Sequence, residues 1–180
     1  MGVNTAGTKP REERIARWLP SRPNRALALG LRLPSYLYRF RLGGLLGHRF
    51  LLLTHRGRKS RLIRHTPLEV LNYDPHSRES VVLSAWGKKA DWYRNIQASP
   101  PLEVETGGER YPPAPRFLTS EEAYAVITEY VIRHPLAARV LERVFGFPVT
   151  RSAASRMAFV QSVALVAFRP QRKVEERPET

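Results

Sequence analysis

Short apolar stretches separated by turn residues fill the middle of the chain, and they predict β-strands. Residues 49–55 form one such stretch and residues 66–73 a second. The polar segment 74–79 contains a proline and predicts a turn. Residues 80–86 then predict a third strand that returns along the second.

The later part of the chain continues this pattern with proline-marked edges. Residues 102–106 and 109–118 predict a hairpin across a Gly-Gly turn. Three prolines in the second arm suit a strand at the edge of a sheet, because proline cannot donate a ladder hydrogen bond. The apolar run 158–168 predicts a closing strand.

Helices are predicted between and beside these strands. Residues 88–98 suit a short helix that ends before two prolines. Thr119 begins the pattern T-S-E-E, which predicts a capped helix to about residue 134, and a second helix follows at 136–145. Short strands without a βαβ rhythm favour a mainly β fold with some α, a small antiparallel barrel rather than a doubly wound sheet.

The N-terminal residues differ from the rest in composition. Arg25, Arg32 and Arg39 interrupt an apolar stretch at intervals of seven, which would place them on one helix face. A helix of this kind lies on a membrane surface or packs on its own domain with its arginines reaching water. We therefore predict a basic helical extension at 1–45, a barrel domain at 46–169 and a disordered charged tail at 170–180.

The positive charge is concentrated in the first third of the chain. The formal net charge is +14, and residues 1–65 hold 15 Lys and Arg but only two acids. Such a surface suits nucleic acid, an anionic membrane reached through residues 11–45, or an anionic small ligand, and a merely solvated cationic surface is the plain alternative.

Several other classes of protein are disfavoured by the sequence. The chain has no cysteine, which fits a reducing cytoplasm, and no apolar run is long enough to span a membrane or to form a signal peptide. P-loop, GxGxxG, GxSxG and HExxH patterns are absent, so hydrolysis and a metal site have no support. No nucleic-acid-binding motif is present either, and nucleic acid is not the expected partner.

The first strand runs directly into a highly basic turn. Five cations fall between Arg56 and Arg64, just after the apolar residues of the strand. Gly57 permits a backbone shape that other residues resist, and the backbone N–H groups of such a turn can point at an anion. His55 and His65 flank the turn, where they either assist phosphate binding or are ordinary strand-end residues.

A second basic loop follows the third strand, at residues 86–93. It combines Lys88 and Lys89 with two tryptophans and a tyrosine. Trp92 and Tyr93 either contact a ligand or anchor a helix in the core. Two basic loops at strand ends could together hold a flat ligand with an anionic tail.

In this order, the motifs resemble one known family. The segments LLLTxxGRKS, VxxSAWG and DWYRNIQASP closely resemble the deazaflavin-dependent nitroreductases over about residues 45–120. The resemblance implies a split β-barrel of about six to seven antiparallel strands, with an N-terminal helix and other helices packed outside. It also implies coenzyme F-420, a deazaflavin with a phosphate and polyglutamate tail, as the cofactor.

The resemblance implies a set of cofactor-binding residues on four segments. The turn and its following basic residue would bind phosphate, two strands would run beside the deazaflavin ring, and a helix start would close over it. These residues are Arg58, Lys59, Ser60 and Arg64; His65, Thr66, Pro67, Leu68 and Glu69; Val82, Leu83, Ser84 and Ala85; and Asp91, Trp92, Tyr93, Arg94 and Asn95.

The chain departs from the family pattern at three places. Arg61 replaces a glycine of the usual GRKSG turn, which adds a contact to the tail or demands a different turn. Ala85 stands where some members have lysine, a charge that Lys88 or Lys89 could supply. The region after Thr119 lacks the tyrosine-rich substrate wall, so the substrate does not carry over.

The implied activity is hydride transfer from reduced F-420 to an activated acceptor, an enone, a quinone or a nitro compound. Ser84 and Tyr130 are candidate proton donors. The alternatives are the same fold with FMN, haem or a lipid, or a basic membrane-surface or nucleic-acid-binding module without catalysis. The expected partner is an apolar or quinone-like small-molecule substrate. A homodimer with a second copy of the chain is left open. The expected location is the cytoplasm, either free or peripheral at the inner membrane face.

Overall fold

The structure is a computed structural model that describes residues 47–171, apart from the side chain of Val144. The predicted helical extension at 1–45, with its membrane surface at 11–45, lies outside the described residues. So do all but the first two residues of the predicted tail.

Seven strands and four α-helices make up this part of the chain. The strands are β1 (Phe50–Arg56), β2 (Ile63–Asp74), β3 (Glu79–Ser84), β4 (Glu103–Thr106), β5 (Glu109–Tyr111), β6 (Pro113–Phe117) and β7 (Ala164–Pro170). The helices are α1 (Asp91–Ala98), α2 (Ser120–Arg133), α3 (Pro135–Phe145) and α4 (Ala153–Ser162), with a 3-10 turn at Gly87–Lys89 before α1.

All seven strands form one antiparallel sheet that curls into a nearly closed barrel. The strand order is β5-β4-β1-β2-β3-β7-β6, so β5 and β6 stand at opposite ends of the sheet. These two strands are consecutive in sequence, with Pro112 alone between them. One residue can join the two edges only if the sheet rolls up, and the expected split β-barrel with external helices is confirmed.

The side chains of β3 and β7 alternate between two hydrophobic cores. Val82, Val166 and Phe168 point into the barrel, where they meet residues of β1, β2, β4 and α1. Val81 and Leu165 point to the other face, which is covered by α2, α3 and α4. Both strands are therefore buried on two sides, which accounts for their nearly continuous apolar sequence.

The helix that packs across the outer face begins where the sequence predicts. The Thr119 hydroxyl accepts a hydrogen bond from the backbone N–H of Glu122, and the Glu122 side chain accepts one from the backbone N–H of Thr119. This capping box satisfies two donors at the start of α2. Arg116 on β6 also pairs with Glu122 and with Glu79 on β3, which ties the edge strand to the helix.

Two sequence predictions about the last third of the barrel are wrong. Residues 158–162 belong to α4 rather than to the closing strand, which begins only at Ala164. Ser152 caps α4 by accepting from the backbone N–H of Ser155, and Phe159 is buried under the outer helices. The predicted arm 109–118 is divided between β5 and β6, which pair with different strands. An apolar run alone does not distinguish a buried helix from a buried strand.

Ile127 and Ile132 provide a matched test of the outer core, since both lie on α2. Ile127 is fully buried, whereas Ile132 is 74% exposed. Ile127→Ala should lower the free energy of unfolding by about 2–4 kcal/mol, because it leaves a cavity. Ile132→Ala should change it by less than about 0.5 kcal/mol. Chemical denaturation measures both, and similar losses in the two variants would contradict this packing.

Candidate functional site

The basic turn between β1 and β2 is a compact loop closed by its own backbone. The Gly57 N–H donates to the Leu62 carbonyl at 2.9 Å, and the Arg61 N–H donates to the Gly57 carbonyl at 2.8 Å. The Arg56 guanidinium also donates to the Arg61 carbonyl at 3.3 Å. The turn is therefore held in one shape before any ligand binds.

The residue with the unusual backbone in this turn is Arg61, not Gly57. Arg61 has a φ of +58°, in the left-handed region that favours glycine, whereas the φ of Gly57 is not positive. The prediction that Gly57 supplies a special backbone shape is wrong. Glycine is needed there for space, because a Cβ on Gly57 would lie 2.7 Å from the Ser60 Oγ and 3.3 Å from the Arg64 Nε. Arg61, which stands where the GRKSG pattern has its second glycine, adopts a backbone conformation that glycine favours.

Asn95 on α1 fastens the turn to the rest of the barrel. Its Oδ1 accepts from the Arg58 backbone N–H at 3.0 Å and from the Arg58 guanidinium at 3.1 Å. The same guanidinium forms an ion pair with Asp91 at 2.9 Å, and its hydrogen bond holds the pKa of Asp91 below its usual range. The structure thus brings together three predicted site residues, Arg58, Asp91 and Asn95. Their side chains bond to one another rather than being left free for a ligand.

His55 continues this network into the barrel, so it is neither an exposed phosphate ligand nor an ordinary surface residue at a strand end, the two roles that the sequence left open. It is only 2% exposed, its Nδ1 lies 3.3 Å from the Asn95 Nδ2, and its Nε2 lies 3.0 Å from the Thr66 Oγ1. Because the Asn95 Oδ1 faces Arg58, its Nδ2 donates to His55 Nδ1, and the proton of the neutral ring is on Nε2. Burial lowers the pKa of His55 below 6.5, chiefly by desolvation, which favours this neutral form.

Three of the predicted phosphate-binding residues keep their side chains free for an external ligand. The side chains of Lys59, Ser60 and Arg64 are exposed, and none forms a hydrogen bond or ion pair within residues 47–171, which is also true of the Arg61 side chain. The Arg64 Nε lies close above Gly57, so the guanidinium is near the turn although Arg64 itself belongs to β2. An ammonium, a hydroxyl and a guanidinium around one turn form a donor set for a phosphate.

Most other predicted site residues serve the core or its edges. Leu68, Val82, Trp92 and Tyr93 are buried in the barrel interior, so the core interpretation of Trp92 and Tyr93 is supported. Ser84 is fully buried, and its hydroxyl donates to the Gly87 carbonyl at 2.8 Å. Positions 83 and 85 are partly buried, as is Pro67. His65 lies against Thr54 at 3.0 Å, and the Arg94 side chain donates to the Lys88 carbonyl at 3.3 Å.

A cavity of about 370 Å³ lies between the second half of β2 and the end of α2. Glu69 and Tyr130, two further candidates, meet there, with the Tyr130 hydroxyl 3.4 Å from the Glu69 Oε1. Burial first, and then the neighbouring Glu69 carboxylate, raise the pKa of Tyr130 to about 12. His48, which stacks on Tyr73 at 3.7 Å, and His134 also line this cavity.

Comparison with known proteins identifies the family. A family model described as F420H(2)-dependent quinone reductase matches residues 37–136, more than half of the chain. The chain therefore belongs to this family, and it is an oxidoreductase whose cofactor is coenzyme F-420. The resemblance to F-420-dependent enzymes is thus confirmed. A comparison with curated proteins finds no significant match.

Solved structures give more distant likenesses. An F420-H2 dependent reductase, FDR-A, is 20% identical, with 68% of this chain and 96% of that one covered and a TM-score of 0.45. The haem storage protein HutZ from Vibrio cholerae is 16% identical, with 78% and 92% covered and a TM-score of 0.43. A pyridoxamine 5'-phosphate oxidase-related, FMN-binding protein from Nostoc punctiforme is 14% identical, with 84% and 82% covered and a TM-score of 0.42.

Two further features of the described residues concern other classes of site. Within residues 47–171, no group of three His, Asp or Glu side chains is placed to hold a metal ion. In the same part of the chain, no helix has the length and hydropathy needed to cross a membrane.

The neutral state of His55 predicts a pH-dependent stability. In the unfolded chain this histidine takes up a proton near pH 6.5, whereas in the folded chain it does so only at lower pH. The unfolded state then binds more protons, so the contribution of His55 is present above pH 6.5 and is lost as the pH falls through the folded pKa. The stability advantage of the wild type over His55→Gln should narrow between about pH 8 and about pH 5. A difference in the free energy of unfolding between the two proteins that does not change with pH would contradict a neutral, buried His55.

The left-handed backbone of Arg61 predicts that glycine is tolerated there. Relief of about 1 kcal/mol of backbone strain should offset the extra flexibility of glycine when unfolded. Arg61→Gly should therefore leave the free energy of unfolding unchanged or raise it by up to about 1 kcal/mol. Arg64→Gly, in the extended backbone of β2, should lower it by about 1 kcal/mol. Denaturant titration measures the free energy of unfolding of both variants. An equal decrease in the two would exclude backbone strain at Arg61.

Proposed function

We propose that the chain binds reduced F-420 along β2 and reduces a quinone-like acceptor in the cavity beside Tyr130. The observation that carries this proposal is the set of donors on the turn. The side chains of Lys59, Ser60 and Arg64 have no hydrogen-bond or ion-pair partner within residues 47–171, and the turn that they surround is fixed by Asn95. A preformed cationic turn fits the phosphate and the tail carboxylates of this cofactor.

The length of β2 suits an elongated cofactor. Arg64 is close to the turn and Glu69 lines the cavity, and both belong to this strand. Five residues of extended strand span about 17 Å. With its phosphate at Lys59 and Arg64, the cofactor would run beside Thr66, Pro67 and Leu68 and present its ring near the cavity.

Reduced F-420, when bound, supplies the hydride, and the protein binds, orients and excludes water. Tyr130 holds a proton at its Oη at neutral pH, since its pKa is about 12. The Tyr130 hydroxyl donates to the Glu69 Oε1 over a long 3.4 Å and lines the cavity, where an acceptor oxygen would compete for its proton. The Ser84 hydroxyl is fully buried, donates to the Gly87 carbonyl at 2.8 Å and does not line the cavity. Of the two candidate donors, Tyr130 is therefore the one we propose.

A quinone is the acceptor class that the family name supports, and the cavity of about 370 Å³ matches a small ring compound. Enones and nitro compounds have similar size and need the same hydride, so they belong in the same assay. We place the reaction in the cytoplasm, at the inner membrane face where a lipophilic quinone would be available.

Turnover of reduced F-420 with a soluble quinone tests this proposal. Lys59→Ala and Arg64→Ala should each raise the KM for F-420 about tenfold with little change in kcat, because they remove binding that is the same in ground and transition states. The effect should shrink at high salt, where the exposed charges are screened. Fluorescence of the oxidised deazaflavin follows the reaction.

Arg169→Ala is the matched control, since Arg169 is an exposed arginine on β7, outside both basic loops, and its replacement removes the same charge. It should leave the KM within about twofold of wild type. An equal rise in the KM for all three variants would mean that general charge, rather than the turn, binds the cofactor. No oxidation of reduced F-420 with any of the three acceptor classes would reject the proposed activity.

A further inference from the structure

Exposed apolar side chains are concentrated where α2 passes into α3. Ile132 and Leu136 are each 74% exposed, and Val140 is 62% exposed. These are three of the four most exposed large apolar residues within 47–171. Leu136 and Val140 are one turn apart on α3, and Ile132 belongs to the last turn of α2, just before the break at His134. A cluster of this kind marks an interaction surface more often than isolated exposed residues do.

The outward face of α3 combines these residues with arginines. At 100° per residue, Leu136, Arg139, Val140 and Arg143 fall on one side of the helix, and all four are exposed. Ala138 and Leu141 fall on the opposite side and are buried against the outer core. The inner face of α3 therefore packs on the domain. Its outer face, where apolar side chains stand beside arginines, has no partner within residues 47–171.

A cationic groove adjoins this outer face. It has a volume of about 710 Å³ and is lined by Arg139 and Arg143 of α3 and by Arg151 of the following loop. The acid in its lining, Glu142, accepts hydrogen bonds from the Thr150 N–H at 2.7 Å and from the Thr150 hydroxyl at 2.6 Å. Three guanidinium groups, none in an ion pair within residues 47–171, therefore face the groove.

We propose that this surface, the α3 face (Ile132, Leu136, Arg139, Val140, Arg143 and Arg151), docks on an anionic lipid bilayer. Apolar side chains that protrude beside arginines are the pattern of a helix lying in a membrane interface. The guanidinium groups complement lipid phosphates, and the apolar side chains enter the acyl boundary. A protein partner for this face would need acids to match the arginines, whereas anionic lipid presents both the charge and the apolar layer.

The position of the α3 face gives it a consequence for catalysis. His134, the residue just before α3, lines the cavity of about 370 Å³. A bilayer-dissolved acceptor would therefore meet the protein next to this cavity. That consequence rests on the proposed function, whereas docking itself does not.

The absence of cysteine allows docking to be measured at one chosen position. A polarity-sensitive fluorophore is attached to Leu136→Cys in the full chain. Its emission should shift to shorter wavelength with phosphatidylglycerol vesicles and not with phosphatidylcholine vesicles. Leu102→Cys, which replaces an exposed leucine between α1 and β4, is the control and should not shift. Vesicle binding without a shift at position 136 would overturn the proposal and assign attachment to another surface. A shift that appears with rising protein concentration and no vesicles would also overturn it, in favour of a second copy.

Vesicle sedimentation with paired variants separates the two contributions. Leu136→Ser/Val140→Ser should lower the partition coefficient at least about tenfold, and Arg139→Gln/Arg143→Gln should lower it about twentyfold. Arg110→Gln/Arg169→Gln removes the same charge elsewhere and should have an effect of less than about threefold. Equal losses in the two arginine pairs would overturn the α3 face as the site. None of these pairs should alter turnover with a soluble quinone, so loss of docking is distinguishable from failure of the proposed activity.

Discussion

The barrel depends on the single residue that joins its two edge strands. β5 and β6 are separated only by Pro112, yet they pair with strands at opposite ends of the sheet. The sheet must roll up for the chain to make this connection. Rolling encloses one apolar core and leaves the outer faces of β3 and β7 to be covered by α2, α3 and α4. At the same time α1 packs against β1, and its buried Trp92 and Tyr93 belong to the barrel core.

That placement of α1 makes the basic turn a structured site. Asn95 is buried, and it can fix the Arg58 N–H because α1 packs at the end of the barrel where β1 ends. A buried amide that lost these partners would cost about 1–3 kcal/mol, so the turn and the helix are coupled. The coupling holds several cations close together, and the hydrogen bonds of the turn offset their mutual repulsion. We propose that the anionic tail of the cofactor relieves that repulsion.

Local signals in the sequence were sufficient for much of the fold. The apolar stretches of β1 to β3, the proline-rich edge and the Thr119 capping box each depend on neighbours in sequence, and they are found as predicted. The second half of α4, residues 158–162, was assigned to the closing strand because a short apolar run fits a buried helix and a buried strand equally well. The division of 109–118 between two strands depends on distant pairing, which no local pattern specifies.

The site was predictable in part for a similar reason. The charges of the turn are visible in the sequence, and the resemblance identifies the cofactor that the family match confirms. The hydrogen bond between His55 and Asn95 is not visible in the sequence, because the two residues are forty positions apart. Only its burial distinguishes His55 from a surface histidine. One feature of the sequence does indicate the left-handed backbone at Arg61, because the GRKSG pattern of the resembling family has a glycine at that position.

The central claim is that the Gly57–Leu62 turn holds the anionic tail of F-420. Equilibrium binding of F-420 and of the same deazaflavin without phosphate and polyglutamate, to the wild type and to Lys59→Ala, tests it most directly. The wild type should bind the tailed cofactor more tightly than the tailless one. Lys59→Ala should lose about tenfold in affinity for the tailed cofactor but less than about twofold for the tailless one. An equal loss for both ligands, or no preference for the tail in the wild type, would contradict it.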